Sequence, residues 1–137
     1  MITVAIKHEI AKRSLIMKSN FLFVKNDIYI TLVIAGEYDK EEFLSYPQLV
    51  LEQCQKEGLN KVLVDGSSLS GTDVPTMDRF FIGEEIAKQL RFKVKLAIVW
   101  PKEHINRFTE TVAVNRGGSM IVVDTVDAAH NWLIREV

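Results

Sequence analysis

Short β-branched runs alternate with longer segments of helical periodicity through most of this sequence. The apolar runs at 62–64, 94–100 and 120–123 are each followed by apolar residues spaced three or four positions apart. Parallel strands need a long crossover connection, which is usually a helix. The pattern therefore predicts a single α/β domain with a mostly parallel sheet and right-handed crossovers.

Two more strands precede this repeat, and they are predicted to form an N-terminal β-hairpin. Residues 21–24 and 28–35 are apolar or β-branched, and Lys25-Asn26-Asp27 between them supplies turn residues. The domain is predicted to span residues 21–137, with residues 1–20 as an N-terminal extension. Alternation at positions 2–6 fits a strand and the spacing at positions 6–17 fits a helix, and we favour an extended start followed by a short helix or loop.

The first long helix is predicted between two residues that favour helix ends. Asp39 is a suitable N-cap, and Gly58 is a natural stop. Pro47 lies inside the helix and is predicted to kink it or to split it in two, because proline cannot donate the backbone hydrogen bond. The apolar stripe comprises Phe43, Tyr46, Val50 and Cys54.

Charge and cysteine content exclude several functional classes. The 137 residues include 17 basic and 18 acidic side chains, for a net charge of -1, so no surface for nucleic acid is expected. No apolar run approaches the ~18 residues that a membrane span requires. With Cys54 as the one cysteine, no intrachain disulfide can form, and we expect a cytoplasmic protein without a signal peptide.

Polar residues cluster after the strand at 61–65, where a ligand site is expected. In open α/β sheets, ligands bind beyond the carboxyl ends of the parallel strands. Residues 66–73 are predicted to form a loop there, followed by a helix from about Pro75 to Leu90 whose free N–H groups attract anions. The candidate ligand or phosphorylation residues are Asp65, Ser67, Ser68, Ser70, Thr72, Asp73 and Thr76.

Known catalytic and cofactor motifs do not fit this loop. Gly66 and Gly71 have the spacing of a phosphate-binding P-loop, but Thr72-Asp73 stand where that motif needs Lys and then Ser or Thr. No serine lies in a G-x-S-x-G nucleophile elbow. We therefore predict no catalytic residue, no metal and no cofactor. The histidines, which lack the spacing of a metal site, are His8, His104 and His130.

The helix that follows the loop carries two apolar residues away from its predicted buried face. That face comprises Met77, Phe80, Gly83, Ala87 and Leu90. A glycine inside a helix costs ~1 kcal/mol, so Gly83 predicts a close packing contact. Phe81 and Ile82 lie off this face, so either the helix is buried on two sides or these two residues form a protein interface.

Several short motifs resemble those of the STAS superfamily, which includes the bacterial anti-sigma factor antagonists, and more closely those of small SpoIIAA-like proteins of unknown function. In the antagonists a strand ends in Asp, and a second Asp precedes a phosphorylated Ser at the next helix start. Asp65 and Asp73 match these acids, but Val74-Pro75-Thr76 follow, so the resemblance leaves phosphorylation at Thr76, Thr72 or Ser70 as a hypothesis. The motifs are Gly36-Glu37-Tyr38-Asp39, Val62-Leu63-Val64-Asp65, the helix through Phe80, and Val112-Ala113-Val114-Asn115-Arg116-Gly117.

The resemblance implies a non-enzymatic regulatory module that binds a protein partner or itself as a homodimer. The partner would contact the loop at 66–76 and the helix surface at Phe81 and Ile82. A carrier or sensor of a small apolar or anionic ligand is the alternative, with a pocket lined by Trp100, Phe80 and Phe81. An enzyme that uses Asp65 and a loop serine is a third interpretation, but the sequence provides no base for that serine.

Overall fold

Five strands form one sheet within residues 17–135, the part of the chain that this computed structural model describes. Their order in the sheet is their order in the sequence. β1 and β2 form an antiparallel hairpin, and every later pair is parallel, so the predicted hairpin and mostly parallel sheet are confirmed. The strands are β1 Ser19–Lys25, β2 Ile30–Glu37, β3 Lys61–Ser70, β4 Lys95–Val99 and β5 Ser119–Val123.

Three crossover helices lie on one face of this sheet. They are α1 Lys40–Glu57, α2 Thr76–Leu90 and α3 Phe108–Asn115, the last preceded by a 3-10 turn at Lys102–His104. Because each connects neighbouring strands in the same direction, right-handed crossovers place all three on the same side. The final helix, α4 Val126–Ile134, covers the opposite face against β3, β4 and β5.

The alternation of side chains along the strands divides the core into two layers. Val62 and Val64 of β3 contribute to the layer beneath α1, α2 and α3, whereas Leu63 between them contributes to the layer beneath α4. In this second layer Ala129 and Leu133 of α4 are fully buried. Val126 and Ile134, at the two ends of α4, are exposed.

Local capping chemistry fixes both ends of α1 as the sequence predicted. The Asp39 carboxylate accepts a hydrogen bond from the Glu42 N–H at 3.1 Å, and Gly58 ends α1 in the left-handed conformation with φ of 68°. Thr125 caps α4 by accepting a hydrogen bond from the Ala128 N–H. The prediction that Pro47 splits α1 was wrong: the helix is continuous, and Pro47 is buried with the apolar stripe that packs on the sheet.

The first strand begins at Ser19, before the predicted start at residue 21. The Ser19 side chain is fully buried, and its hydroxyl donates a hydrogen bond to Glu42 Oε1 at 2.6 Å. Its backbone N–H donates to the same carboxylate oxygen at 2.8 Å, so β1 is tied to the first turn of α1. The interpretations of the extension up to residue 16, including His8, lie outside the described residues.

The buried face of α2 differs from the predicted face by about one position. Gly83, Ala87 and Leu90 are buried as expected, but Met77 is 59% exposed. Arg79 is buried in its place, with only 8% of its surface exposed. The apolar spacing therefore predicted the wrong buried residue in the first turn of α2.

Gly83 marks the closest approach of α2 to α3, which confirms the predicted packing contact. A Cβ atom at this position would lie 2.9 Å from the Thr109 carbonyl oxygen and 2.9 Å from Val112 Cβ. Backbone and a β-branched side chain leave little room to adjust, so the two helices would have to separate.

We predict that Gly83→Ala lowers the free energy of unfolding by up to about 2 kcal/mol. The overpacking cost of about 1–3 kcal/mol exceeds the gain in helix propensity of about 1 kcal/mol. Urea unfolding followed by circular dichroism measures the change, with Lys88→Ala at an exposed position of the same helix as the control. A stabilised Gly83→Ala variant would contradict the contact.

Candidate functional site

The carboxyl end of β3 extends well past its neighbour β4. Residues 62–65 pair with both β2 and β4, but beyond Asp65 the strand pairs with β2 alone, to Ser70 opposite Glu37. The prediction that residues 66–73 form a loop was therefore wrong for residues 66–70. Leu69 explains the extension, because it is buried in the layer beneath the crossover helices while the serines beside it are exposed.

A β-bulge interrupts this strand directly after Asp65. The register with β2 shifts between Val33 and Ala35, so β3 carries an extra residue there. The Asp65 carboxylate accepts hydrogen bonds from the Ser67 N–H at 3.0 Å and from the Ser67 hydroxyl at 2.7 Å. Asp65 and Ser67 are thus the one pair of predicted site residues that the structure joins by direct hydrogen bonds within residues 17–135.

The glycine in the bulge accommodates the tryptophan at the end of β4. A Cβ atom at Gly66 would lie 2.8 Å from Cε3 of Trp100. The indole N–H of Trp100 donates to the Thr72 carbonyl oxygen at 3.0 Å, and the ring is 8% exposed. Trp100 therefore covers the core and fastens the connection between β3 and α2, residues 71–75.

Thr72 is the buried anchor of this connection. It is only 5% exposed, and its hydroxyl shares a hydrogen bond with Nδ1 of His104 at 2.8 Å. His104 ends the 3-10 turn and is half-buried, so it is less exposed than a residue in the first turn of a surface helix would be. Sequence spacing gave no indication of this pair, because the two residues are far apart in the chain.

The Thr72 hydroxyl and the His104 imidazole are groups that can serve as a nucleophile and its base in enzymes. Such a base needs a third group that orients it and a substrate that can reach the nucleophile. Among residues 17–135 no carboxylate bonds to His104, and Thr72 lies below the surface. The pair therefore has the geometry of a structural contact that joins two connections of the fold.

Among the remaining candidate residues, Asp65 is half-buried and the others are exposed, and they do not converge on one point. Asp65 and Ser68 lie on the sheet face opposite α1–α3, since their neighbours Val64 and Leu69 point toward those helices. Asp73 and Thr76 lie at the start of α2, where Thr76 is the first helical residue. The Ser70 hydroxyl donates to the Gly36 carbonyl oxygen at 3.2 Å.

The outer face of α2 exposes two large apolar side chains one turn apart. Met77 is 59% exposed and Phe81 is 39% exposed, and we call these two residues the α2 stripe. The Lys40 ammonium of α1 lies 5.2 Å from the centroid of the Phe81 ring. Ile82 is not part of this stripe, because it packs against the core, as expected if the helix is buried on two sides.

A cavity of about 100 Å³ lies between the sheet and the three crossover helices. Its walls are almost entirely apolar and include Leu32, Phe43, Ile86 and Trp100. Asn106 and Arg107 are the exposed members of its lining, so the cavity reaches the surface between the 3-10 turn and α3. The alternative pocket predicted from Phe80 and Phe81 does not match this lining.

Arg79 places a buried cation at the edge of this apolar cavity. Its guanidinium donates hydrogen bonds to the Val74 carbonyl at 2.8 Å, the His104 carbonyl at 2.8 Å and the Asn106 amide oxygen at 3.3 Å. Burial lowers the pKa of Arg79 from its ordinary value, and the charge of Asp73 acts in the opposite direction. No ion pair within residues 17–135 includes Arg79.

The described part of the chain offers neither a metal site nor a membrane-spanning helix. Residues 17–135 contain no group of three or more His, Cys, Asp or Glu side chains that could hold a metal ion. None of the helices from α1 to α4 has the length and apolar character needed to cross a membrane.

The sheet order, the one-sided crossover helices and the terminal helix on the opposite face give the chain a SpoIIAA-like fold. The structure is similar to the crystal structure of an anti-sigma factor antagonist from Mycobacterium paratuberculosis, with a TM-score of 0.59. The match covers 85% of this chain and 95% of that chain at 12% sequence identity, so it establishes the fold alone. No protein-family model and no curated protein matches the chain.

We predict that Thr72→Val destabilises the protein by about 1–2 kcal/mol. Valine has nearly the same shape, but it removes the hydroxyl that His104 contacts and leaves the half-buried imidazole nitrogen without that partner. Chemical unfolding gives the change in free energy. The control is Ser68→Ala on the exposed side of β3, and equal stability of the two variants would contradict an anchoring role for Thr72.

Proposed function

We propose that this chain is a non-enzymatic regulatory module that binds another protein through the outer face of α2. The observation that carries the proposal is the α2 stripe, in which Met77 and Phe81 expose apolar surface on consecutive turns. Isolated exposed apolar residues are ordinary, but adjacent ones on one helix face are typical of interaction surfaces. Aromatic and methionine side chains are also enriched at the centres of protein interfaces.

The surroundings of the stripe support a protein partner. A shallow groove between α1 and α2 adjoins Phe81 and carries both acidic and basic side chains, among them Lys40, Glu84 and Lys88. Apolar residues bordered by charges of both signs have the composition of an interface core and its rim. Asp73 and Thr76 extend this surface to the start of the helix.

The similar solved structure gives the class of function. Its description as an anti-sigma factor antagonist names a protein that acts on another protein. We propose the same class for this chain, with self-association through the α2 stripe as the form that is simplest to test. A symmetric dimer would place the stripes of two copies against each other, because such an interface uses the same patch on both subunits.

We predict that Phe81→Asp weakens self-association at least about tenfold, because an aromatic residue at the centre of an interface contributes more than 1.4 kcal/mol. Sedimentation velocity at several protein concentrations measures the dimer fraction. Phe92→Asp is the matched control, since Phe92 is 88% exposed and lies outside the stripe.

Equal dimer fractions for the two variants would show that the stripe is not the dimer interface. A wild-type chain that sediments as a monomer at every concentration would exclude self-association. Photo-crosslinking from position 77 in the native host would then test a different protein partner, with position 92 as the control site.

We further propose that Thr76 is the hydroxyl that a kinase modifies if the module is phosphorylated. Thr76 is exposed at the first residue of α2, where the helix favours negative charge, whereas Thr72 is buried. We expect phosphopeptide mapping of the protein from its native host to find phosphate at Thr76 and none at Thr72. Modification at Ser70 with unmodified Thr76 would contradict the assignment.

A second candidate function is the carriage or sensing of a small ligand. The apolar cavity beneath α2, with the buried Arg79 at its edge, favours it. Ligand sites are concave and mostly apolar, with a few polar groups that fix the orientation of the ligand.

A further inference from the structure

We infer that the cavity between the sheet and α1–α3 binds a small carboxylate with an apolar group, the carboxylate pairing with Arg79. This inference rests on the second candidate function and specifies its ligand class. It does not depend on the α2 stripe, which lies on the opposite side of the helix from Arg79.

The size of the cavity limits the apolar part of the ligand. Its volume of about 100 Å³ is somewhat smaller than the engineered cavity of ~150 Å³ that binds benzene. A benzene ring or a chain of about six carbons is therefore the upper limit, with small adjustments of the walls. Long acyl chains do not fit this volume.

The walls of the cavity favour such a group over water. A water molecule in a cavity needs two or more polar partners, and the deep walls at Leu32, Val50 and Leu96 provide none. Aromatic side chains add edge contacts, since the Phe43 ring packs edge-on against Trp100 at a centroid distance of 6.0 Å. Removal of an apolar group from water is then the main driving force.

Arg79 determines the sign of the charge that the ligand carries. Buried arginines are nearly always paired with an acid, because the loss of hydration is costly. Here the recorded acceptors are three neutral oxygen atoms, of Val74, His104 and Asn106. The guanidinium has more N–H donors than these bonds use, so it can still donate to a carboxylate.

The other charged groups of the lining leave this preference intact. Within residues 17–135, Glu110 is the one acidic residue that lines the cavity. Its Oε1 atom accepts hydrogen bonds from Arg107 at 3.1 Å and from the Val122 N–H at 2.9 Å. Glu110 is thus already paired, and Asp73, whose charge acts on Arg79, forms no ion pair with it in this part of the chain, so Arg79 lacks a direct acidic partner.

Arg79 also has a structural role that the test must separate from ligand binding. Its bonds to Val74 and His104 hold the β3–α2 connection against the 3-10 turn. A variant that merely weakens the fold would lower all binding equally. A preference for a carboxylate over an uncharged ligand of the same shape, in contrast, depends on the pairing of the carboxylate with Arg79.

The experiment compares matched ligands by isothermal titration and ligand-observed NMR. The probe pairs are hexanoate with hexan-1-ol and benzoate with benzyl alcohol, added to the full chain at neutral pH. We expect each carboxylate to bind at least about tenfold more tightly than its alcohol, because a charge-assisted hydrogen bond to Arg79 contributes about that factor. Arg79→Met should remove this preference but retain binding of the alcohols, and Arg79→Lys should restore part of it.

A second variant tests the location of the site. Val64→Phe fills the cavity from the sheet side and should abolish binding of both members of each pair, with thermal unfolding as the check that the protein folds. If either variant fails to fold, the comparison of carboxylate and alcohol binding to the wild-type protein decides the inference by itself.

Each remaining outcome of the titrations would overturn a definite part of the inference. Equal binding of carboxylates and alcohols would leave an apolar ligand site but remove the role of Arg79. Absence of binding by all the probes would remove the cavity as a ligand site and the second candidate function with it. Neither result would affect the test of protein binding by α2.

Discussion

The packing of three crossover helices on one face of the sheet determines where both candidate sites lie. Because β2 to β5 are adjacent in sequence order, successive right-handed crossovers cannot alternate between faces. This face therefore carries a thick layer of helix, and within residues 17–135 the opposite face carries α4 alone. The cavity lies inside the thick layer, and the α2 stripe lies on its outer surface.

Close contacts at particular positions hold this layer in place around the cavity. Gly83 brings α2 against α3, and Gly66 lets the Trp100 ring lie directly on β3. Protein interiors are usually packed as densely as organic crystals, so space that persists beside such tight contacts is unusual. These contacts limit how closely the helices can approach one another and the sheet.

Local chemistry accounts for the parts of the fold that the sequence predicted correctly. The cap at Asp39, the stop at Gly58 and the contact at Gly83 each depend on a few neighbouring atoms or on one missing side chain. The extension of β3 depends instead on pairing with a strand that is distant in sequence, so the serines there were assigned to a loop. The Thr72–His104 pair was missed for the same reason.

Arg79 shows why the candidate ligand site could not be predicted. The apolar spacing of this helix did not include a charged residue, and it placed Met77 on the buried face instead. In the fold, carbonyl oxygens from two separate connections surround the guanidinium and compensate part of its lost hydration. These acceptors exist only after the 3-10 turn and the β3–α2 connection have come together. The burial of the cation, the exposure of the stripe and the shape of the cavity mouth are therefore consequences of one tertiary arrangement, which no local pattern encodes.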